Sequence, residues 1–339
     1  MTEQPGRFGA VFPPRDLDAY AREVRLLDDL GFAMIGKGDS QALSLDPYVT
    51  LSVAAANTKQ AMVGTLVTNP VTRHPAASAA AVASLQVLSH GRAFFGIGTG
   101  DSSVYNLGRG PVTLRELEEY GTVVRRLCAG ETVPYQGTDL RMLLPNDPVP
   151  LYISAGGPKT LRTAGRIADG VIIASGLTKP AIQEALAALR QGADEAGRTV
   201  EEIDVWWLVK FSIAESRQVA VDALRFTLAA SANHVFRRSL VGKGVPPELE
   251  EPIRKLHQHY SFTAHGKFEA AANADLVERY GLTDYLADRF AIAGTPDECA
   301  ERIRQLRADG AKNLMIALIV PDRIAFLRQM AAEIMPNVG

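Results

Sequence analysis

Ala93-Phe94-Phe95-Gly96-Ile97-Gly98-Thr99-Gly100-Asp101 is an apolar run that stops abruptly in glycines and a carboxylate. The run does not alternate apolar with polar residues, as expected of a strand buried on both faces. The same ending recurs along the chain. Phe32-Ala33-Met34-Ile35-Gly36 leads into Lys37-Gly38-Asp39-Ser40, Gly64-Thr65-Leu66-Val67 into Thr68-Asn69-Pro70, and Leu151-Tyr152-Ile153 into Ser154-Ala155-Gly156-Gly157-Pro158. A helical stretch follows each run, so the chain reads as repeated strand–turn–helix units.

Working outward, strands are expected at 8–12, 32–36, 61–67, 93–97, 151–154, 171–174, 205–213 and 314–319. Helices are expected at 16–30, 46–57, 75–89, 113–128, 159–168, 180–196 and 323–335. Alternation of this kind fits an α/β chain built as a single (β/α)8 TIM barrel better than an open sheet. In such a barrel the loops after the strands meet at one end, where active sites lie. Two segments exceed ordinary loop length. Residues 132–150 contain Tyr135-Gln136-Gly137, a hairpin signal, and 231–293 form a mainly helical insertion between strands 7 and 8, placed over the barrel mouth. The whole of 1–339 is expected to be one domain.

Apolar residues make up 47% of the 339, enough for a large core, and a formal charge of -2 gives no electrostatic case for nucleic acid or an anionic membrane. No apolar run approaches the ~20 residues needed to span a bilayer, and residues 1–7 lack the apolar core of a signal peptide. With only Cys128 and Cys299, neither a disulfide framework nor a zinc cluster is indicated. The expectation is a cytoplasmic enzyme.

The turns suggest the chemistry. Gly156-Gly157-Pro158 carries a strand end into a helix with proline in its first turn. The turn is either a plain tight βα connection or, with exposed N–H groups and no Cβ in the way, an anion seat suited to phosphate, a reading favoured by its place after a strand and by Lys159 beside it. Gly96-Ile97-Gly98-Thr99-Gly100-Asp101 lacks the third glycine of a dinucleotide fingerprint and no helix is expected at once, so a Rossmann reading is rejected. It leaves glycines that clear room for a flat ligand, and Asp101 at the rim. Asp39 ends its strand in the same way. Asn69 and His74 each precede proline and are biased to extended geometry; His74 is a catalytic candidate or a capping residue. His257 and His259, two apart, fall on different helix faces, which argues against metal. His259 and His265 are read instead as lid residues facing substrate, and Trp206 or Trp207, with Tyr105, Phe211 and Phe262, as an aromatic wall.

Together these residues resemble the bacterial-luciferase-like superfamily of flavin and deazaflavin oxidoreductases. The likeness rests on Thr68-Asn69-Pro70-Val71-Thr72-Arg73-His74-Pro75, Leu88-Ser89-His90-Gly91-Arg92, Gly96-Ile97-Gly98-Thr99-Gly100-Asp101, Arg166-Ile167-Ala168-Asp169-Gly170-Val171 and Phe290-Ala291-Ile292-Ala293-Gly294-Thr295-Pro296. It is most similar to the methylenetetrahydromethanopterin reductase branch, whose members use coenzyme F420. The resemblance implies a cis Leu66–Val67 peptide behind the cofactor ring and a phosphate grip at Ala155, Gly156 and Gly157. It also implies a rim of Asp39, Thr68, Asn69, Gly98, Gly100, Asp101, Ser175 and Gly176. Hydride transfer between F420 and a small organic substrate is the leading expectation, with Asp39 and Asp101 setting protonation at the ring. The alternative is a reduced-FMN-dependent, oxygen-using monooxygenase served by a separate flavin reductase. A non-catalytic flavin-binding protein is the remaining class. A homodimer through the helix at 75–89 is also expected from the family.

Overall fold

The computed structural model describes residues 6–14, 16–41, 43–143, 147–261 and 271–338. Its strands are β1 (Phe8–Val11), β2 (Met34–Lys37), β3 (Met62–Thr65), β4 (Ala93–Ile97), β5 (Val133–Tyr135), β6 (Thr138–Leu140), β7 (Leu151–Ala155), β8 (Gly170–Ile173), β9 (Asp204–Ile213), β10 (Ala291–Gly294) and β11 (Asn313–Ala317). Parallel pairing runs β1-β2-β3-β4-β7-β8-β9-β11, and β11 returns to β1 with Phe8 opposite Leu314 and Val11 opposite Ala317. Eight parallel strands therefore close a barrel, as the alternating pattern predicted. β5 and β6 form the small hairpin, turning through Gln136 and Gly137 with positive φ of 48° and 79°.

The helices are α1 (Leu17–Asp29), α2 (Pro47–Asn57), α3 (Pro75–Leu88), α4 (Ser102–Tyr105), α5 (Leu114–Cys128), α6 (Pro158–Ile167), α7 (Lys179–Glu195), α8 (Arg217–Phe236), α9 (Pro247–His259), α10 (Ala271–Arg279), α11 (Thr283–Phe290), α12 (Pro296–Ala308) and α13 (Arg323–Gln329). Side-chain placement follows the two-residue period of the strands. Trp206 enters the barrel interior with Met34, Phe94, Tyr152, Ile172 and Met315. Trp207, Val209 and Phe211 face the shell between strands and helices.

One sequence expectation needs correction. A one-turn helix, α4, does begin directly after Asp101. The insertion expected at 231–293 is mainly helical, as predicted, and its last residues form β10 ahead of α12. β9 is long enough to serve both neighbours: Asp204–Trp207 lie opposite β8, and Lys210–Ile213 lie opposite β10. A four-residue strand ending in glycine was easily absorbed into a helical reading. α8 to α11 enclose a core of their own, with Leu228, Phe236, Leu256, Val277 and Leu286 among its buried members. No helix is long and apolar enough to cross a membrane among the described residues.

Candidate active site

The turns after β2, β3, β4 and β7 converge as the barrel geometry requires. They form the floor of a cavity of about 330 Å3, roofed by His234, Val235, Arg237, Arg238 and Lys243 from the end of α8 and the chain beyond it. Floor residues include Asp39, Val67, Thr68, Asn69, Gly98, Gly100, Asp101, Ser154, Gly156 and Gly157. The Leu66–Val67 peptide is cis. Val67 lines the cavity, and a Cβ on Gly98 would approach its Cγ2 to 3.1 Å.

Asp39 is buried at the end of β2. Its Oδ2 accepts from Thr68 Oγ1 at 2.7 Å and from Arg73 Nε at 3.4 Å, and its own N–H donates to the Val67 carbonyl at 3.1 Å. Arg73 also pairs with Asp46 and lies over the Tyr48 ring. Beside them Lys37 is nearly inaccessible, donating to the Gly38 carbonyl and, at 2.8 Å, to Ser44 Oγ. Burial pulls its pKa down to about 8, although Asp39 and Asp46 oppose the shift. Asn69 is committed to its own turn: its Oδ1 accepts from the N–H groups of Val71 and Thr72, while Nδ2 donates to Ser103 Oγ at 3.1 Å.

Asp101 faces the roof. Its Oδ2 lies 2.6 Å from His234 Nδ1, and its Oδ1 accepts from Arg237 at 2.6 Å. Burial alone would raise the carboxyl pKa, but the hydrogen bonds and charges of His234 and Arg237 hold it far below the usual range. A carboxylate held this way is ionised near neutral pH and is a poor proton donor. Asp101 thereby ties the end of α8 to the turn after β4.

The glycines sort into two kinds. Gly100 and Gly176 have positive φ (102° and 130°), and a Cβ on Gly176 would strike Arg289 at 2.7 Å, so backbone and packing explain both. Gly156 has no such reason, since a Cβ there would meet nothing within 4 Å. A Cβ on Gly157 would make only an ordinary 3.8 Å contact with Lys243 Cε. Gly157 stands at the N-cap of α6 without a side-chain cap. In the recess beside this turn the Ser175 hydroxyl is buried with no hydrogen-bond partner among the described residues. Ala155 turns into the outer shell, leaving Ser154 as the residue of that pair at the cavity.

The expected histidines lie elsewhere. His74 caps α3, its Nδ1 accepting from the Ala76 N–H at 3.2 Å, and packs edge-on against Tyr135. It is absent from the cavity wall. His259 lies within hydrogen-bond distance of the Lys255 carbonyl and the Tyr280 hydroxyl, also away from the wall. His265 and Phe262 lie outside the described residues. No Phe, Tyr or Trp lines the cavity among the described residues, so the expected aromatic wall is replaced by a polar one. Tyr105 instead lies beneath the Arg237 guanidinium. The sequence reading passed over His234, Arg237, Arg238, Lys243 and Arg289. Their signal was a run of cations without acids, His234 to Lys243, at the end of a helix whose start had not been assigned.

Comparison with known proteins agrees with this geometry. Residues 3–313 match the model of the luciferase-like monooxygenase family. The chain is 31% identical to a 5,10-methylenetetrahydromethanopterin reductase of Methanolobus tindarius, over 96% of this chain and 99% of that protein. It is also 31% identical to an F420-dependent glucose-6-phosphate dehydrogenase of Microbacterium testaceum, over 85% of this chain and 81% of the other. Among solved structures, the coenzyme F420-dependent tetrahydromethanopterin reductase of Methanopyrus kandleri superposes with a TM-score of 0.79 at 24% identity, covering 99% of this chain and all of that one. The FMN-bound Baeyer-Villiger monooxygenase component from Pseudomonas putida shares the fold at a TM-score of 0.68 and 16% identity, with 99% of each chain covered. The chain, a barrel closed by eight parallel strands, belongs to the luciferase-like monooxygenase family.

Proposed function

We propose that this protein is an F420-dependent oxidoreductase that moves a hydride between the deazaflavin and a small organic substrate. The observation that carries the reading is the empty-sided turn at Gly156-Gly157, with the uncapped start of α6 and the orphaned Ser175 hydroxyl facing it. These groups fit the phosphate of a ring cofactor laid across the strand ends. The names of the most similar relatives favour F420 over FMN.

When bound, F420 supplies a hydride-donating or hydride-accepting carbon at C5 of its ring. The residues of the chain supply the rest. Val67 and Gly98 would form a wall for the ring, and the Thr68–Asp39–Arg73 contacts hold a carboxylate in the same cavity. The roof from the end of α8 and the chain beyond it would present cations to the bound ligands. Asp101 acts there as an anchor, and Asp39 is the remaining carboxylate of the floor.

A homodimer belongs to the same proposal. α2 and α3 pack against each other and contain no charged residue, and they expose Val49 near the start of α2 and Val87 and Leu88 at the end of α3. A cytoplasmic location agrees with two free, buried thiols. Parallel titration of the protein with F420 and FMN, followed by turnover with and without oxygen, tests the reading. Tight F420 binding and oxygen-independent hydride transfer support it. A requirement for reduced FMN and oxygen would replace it with the monooxygenase alternative and its separate flavin reductase.

A further inference from the structure

The chain between α8 and α9 crosses directly over the start of α6. Gly242 and Gly244 adopt positive φ (67° and 55°), so the backbone folds tightly about Lys243. A Cβ on Gly242 would touch Pro158 Cγ at 3.4 Å, and Lys243 Cε lies against Gly157. Arg289, at the end of α11, fixes this strap. It is 1% exposed and donates to the carbonyls of Ser175 (3.1 and 2.9 Å), Gly244 (3.2 Å) and Lys243.

Neither Lys243 nor Arg289 has a carboxylate partner at ion-pair distance among the described residues, although Glu184 lines the same small recess. Among the described residues the Lys243 ammonium donates only to the Val235 carbonyl, one acceptor for a group with three donors. Two half-buried or buried cations thus border a site that also holds an uncapped helix start and the partnerless Ser175 hydroxyl, 8% exposed. Cations at this cost in desolvation need an anion.

We propose that Lys243 is the counter-ion of the cofactor's phosphate, and that Arg289 is a positioning residue that holds the Lys243 strap against the phosphate seat. The ligand class is a phosphate ester, with its oxygens shared among the α6 amides, the Ser175 hydroxyl and the Lys243 ammonium. This rests on the reading of the chain as a phosphate-bearing deazaflavin or flavin enzyme. It also makes the roof part of the cofactor site: residues between β9 and β11 then bind the cofactor as well as the substrate.

The test compares dissociation constants for F420 and for its deazariboflavin chromophore, which lacks the phosphate, with FMN and riboflavin as a second pair. Wild type, Lys243→Met, Lys243→Arg and Arg289→Lys are measured, each checked for folding by circular dichroism. Lys243→Met is expected to lose about tenfold or more in F420 affinity while its affinity for the chromophore changes by less than about twofold. Lys243→Arg should recover most of the loss, and Arg289→Lys should reduce the same phosphate-dependent difference. Equal loss of both ligands, or no loss of F420 affinity, overturns the assignment. A phosphate-dependent, Lys243-dependent preference for FMN instead of F420 supports the counter-ion but overturns the F420 reading. A folded wild type that binds neither cofactor overturns both.

Discussion

The floor and the roof of the cavity are made of different material. The floor comes from strand ends and is rich in glycine, hydroxyl groups and fixed backbone, with Asp39, Thr68 and Asn69 locked in contacts to neighbouring turns. The roof comes from a separately cored helical layer and brings long cationic side chains. The floor is suited to shape and the roof to charge. Polar links between them include Asp101 to His234 and Arg237 at the end of α8, and Arg289 to the strap and to Ser175.

The largest expected effect falls on the floor. Gly157→Val fills the face that a phosphate must approach, and its backbone, with φ of -151°, accepts an L side chain. F420 affinity should fall by about a hundredfold while thermal stability changes little, measured by titration and calorimetry. Unchanged affinity in a folded variant would remove the phosphate seat from this turn.

Asp101→Asn strikes the link to the roof. It retains the side-chain size but removes the charge that His234 and Arg237 share. Turnover should drop by about tenfold or more, with F420 affinity nearly unchanged and proteolysis after α8 accelerated. Because the folded carboxyl is held below its ordinary pKa, the link contributes stability above about pH 4 and loses it as pH falls further. Activity should therefore show no Asp101 titration near neutrality. A wild-type pH profile with a pKa near neutrality that vanishes in Asp101→Asn would restore the proton-transfer role.

Alkaline pH sharpens the contrast further. Burial, then Arg289 and Arg238, lowers the Lys243 pKa to about 8; Glu184 is the acid facing the same recess. Its ammonium form is the one that attracts phosphate, so rising pH removes the attraction. The F420 preference over its phosphate-free chromophore should shrink severalfold between about pH 7 and about pH 9, and Lys243→Arg should flatten the curve. A pH-independent preference would take Lys243 out of the seat. The smallest effect concerns neither wall. His74→Ala removes a helix cap, so it should cost about 1 kcal/mol of stability and leave kcat intact; loss of kcat without loss of stability would return His74 to the chemistry.

What the sequence disclosed follows the same division. The barrel, its turns and the hairpin at Gln136-Gly137 were legible because strand burial and turn geometry are local properties. Gly156 and Gly157 were legible because backbone without Cβ is written directly in the sequence. The roof was not, since which face of α8 looks down depends on packing against α10 and α11. His234 is the histidine that reaches the floor, while His74 and His259, more conspicuous in sequence, serve caps and outer packing. Ala155, expected in the phosphate grip from the family likeness, turns its side chain into the shell while Ser154 lines the cavity, as alternation along a strand requires. Asp101 was correctly placed at the mouth, but its partners come from a segment more than a hundred positions along the chain.

β9 has a consequence for inheritance and exchange. One strand carries two structures in succession, the barrel at Asp204–Trp207 and the helical layer at Lys210–Ile213 through β10. The layer is therefore a cassette bolted to the last turn of its own mounting. A chimera that takes this cassette from a relative must join outside 214–294 to keep β10 in register. It must also match Arg289 with glycine at 176, where any Cβ would collide with that arginine at 2.7 Å. Substrate range can be traded by such exchanges only together with this pair.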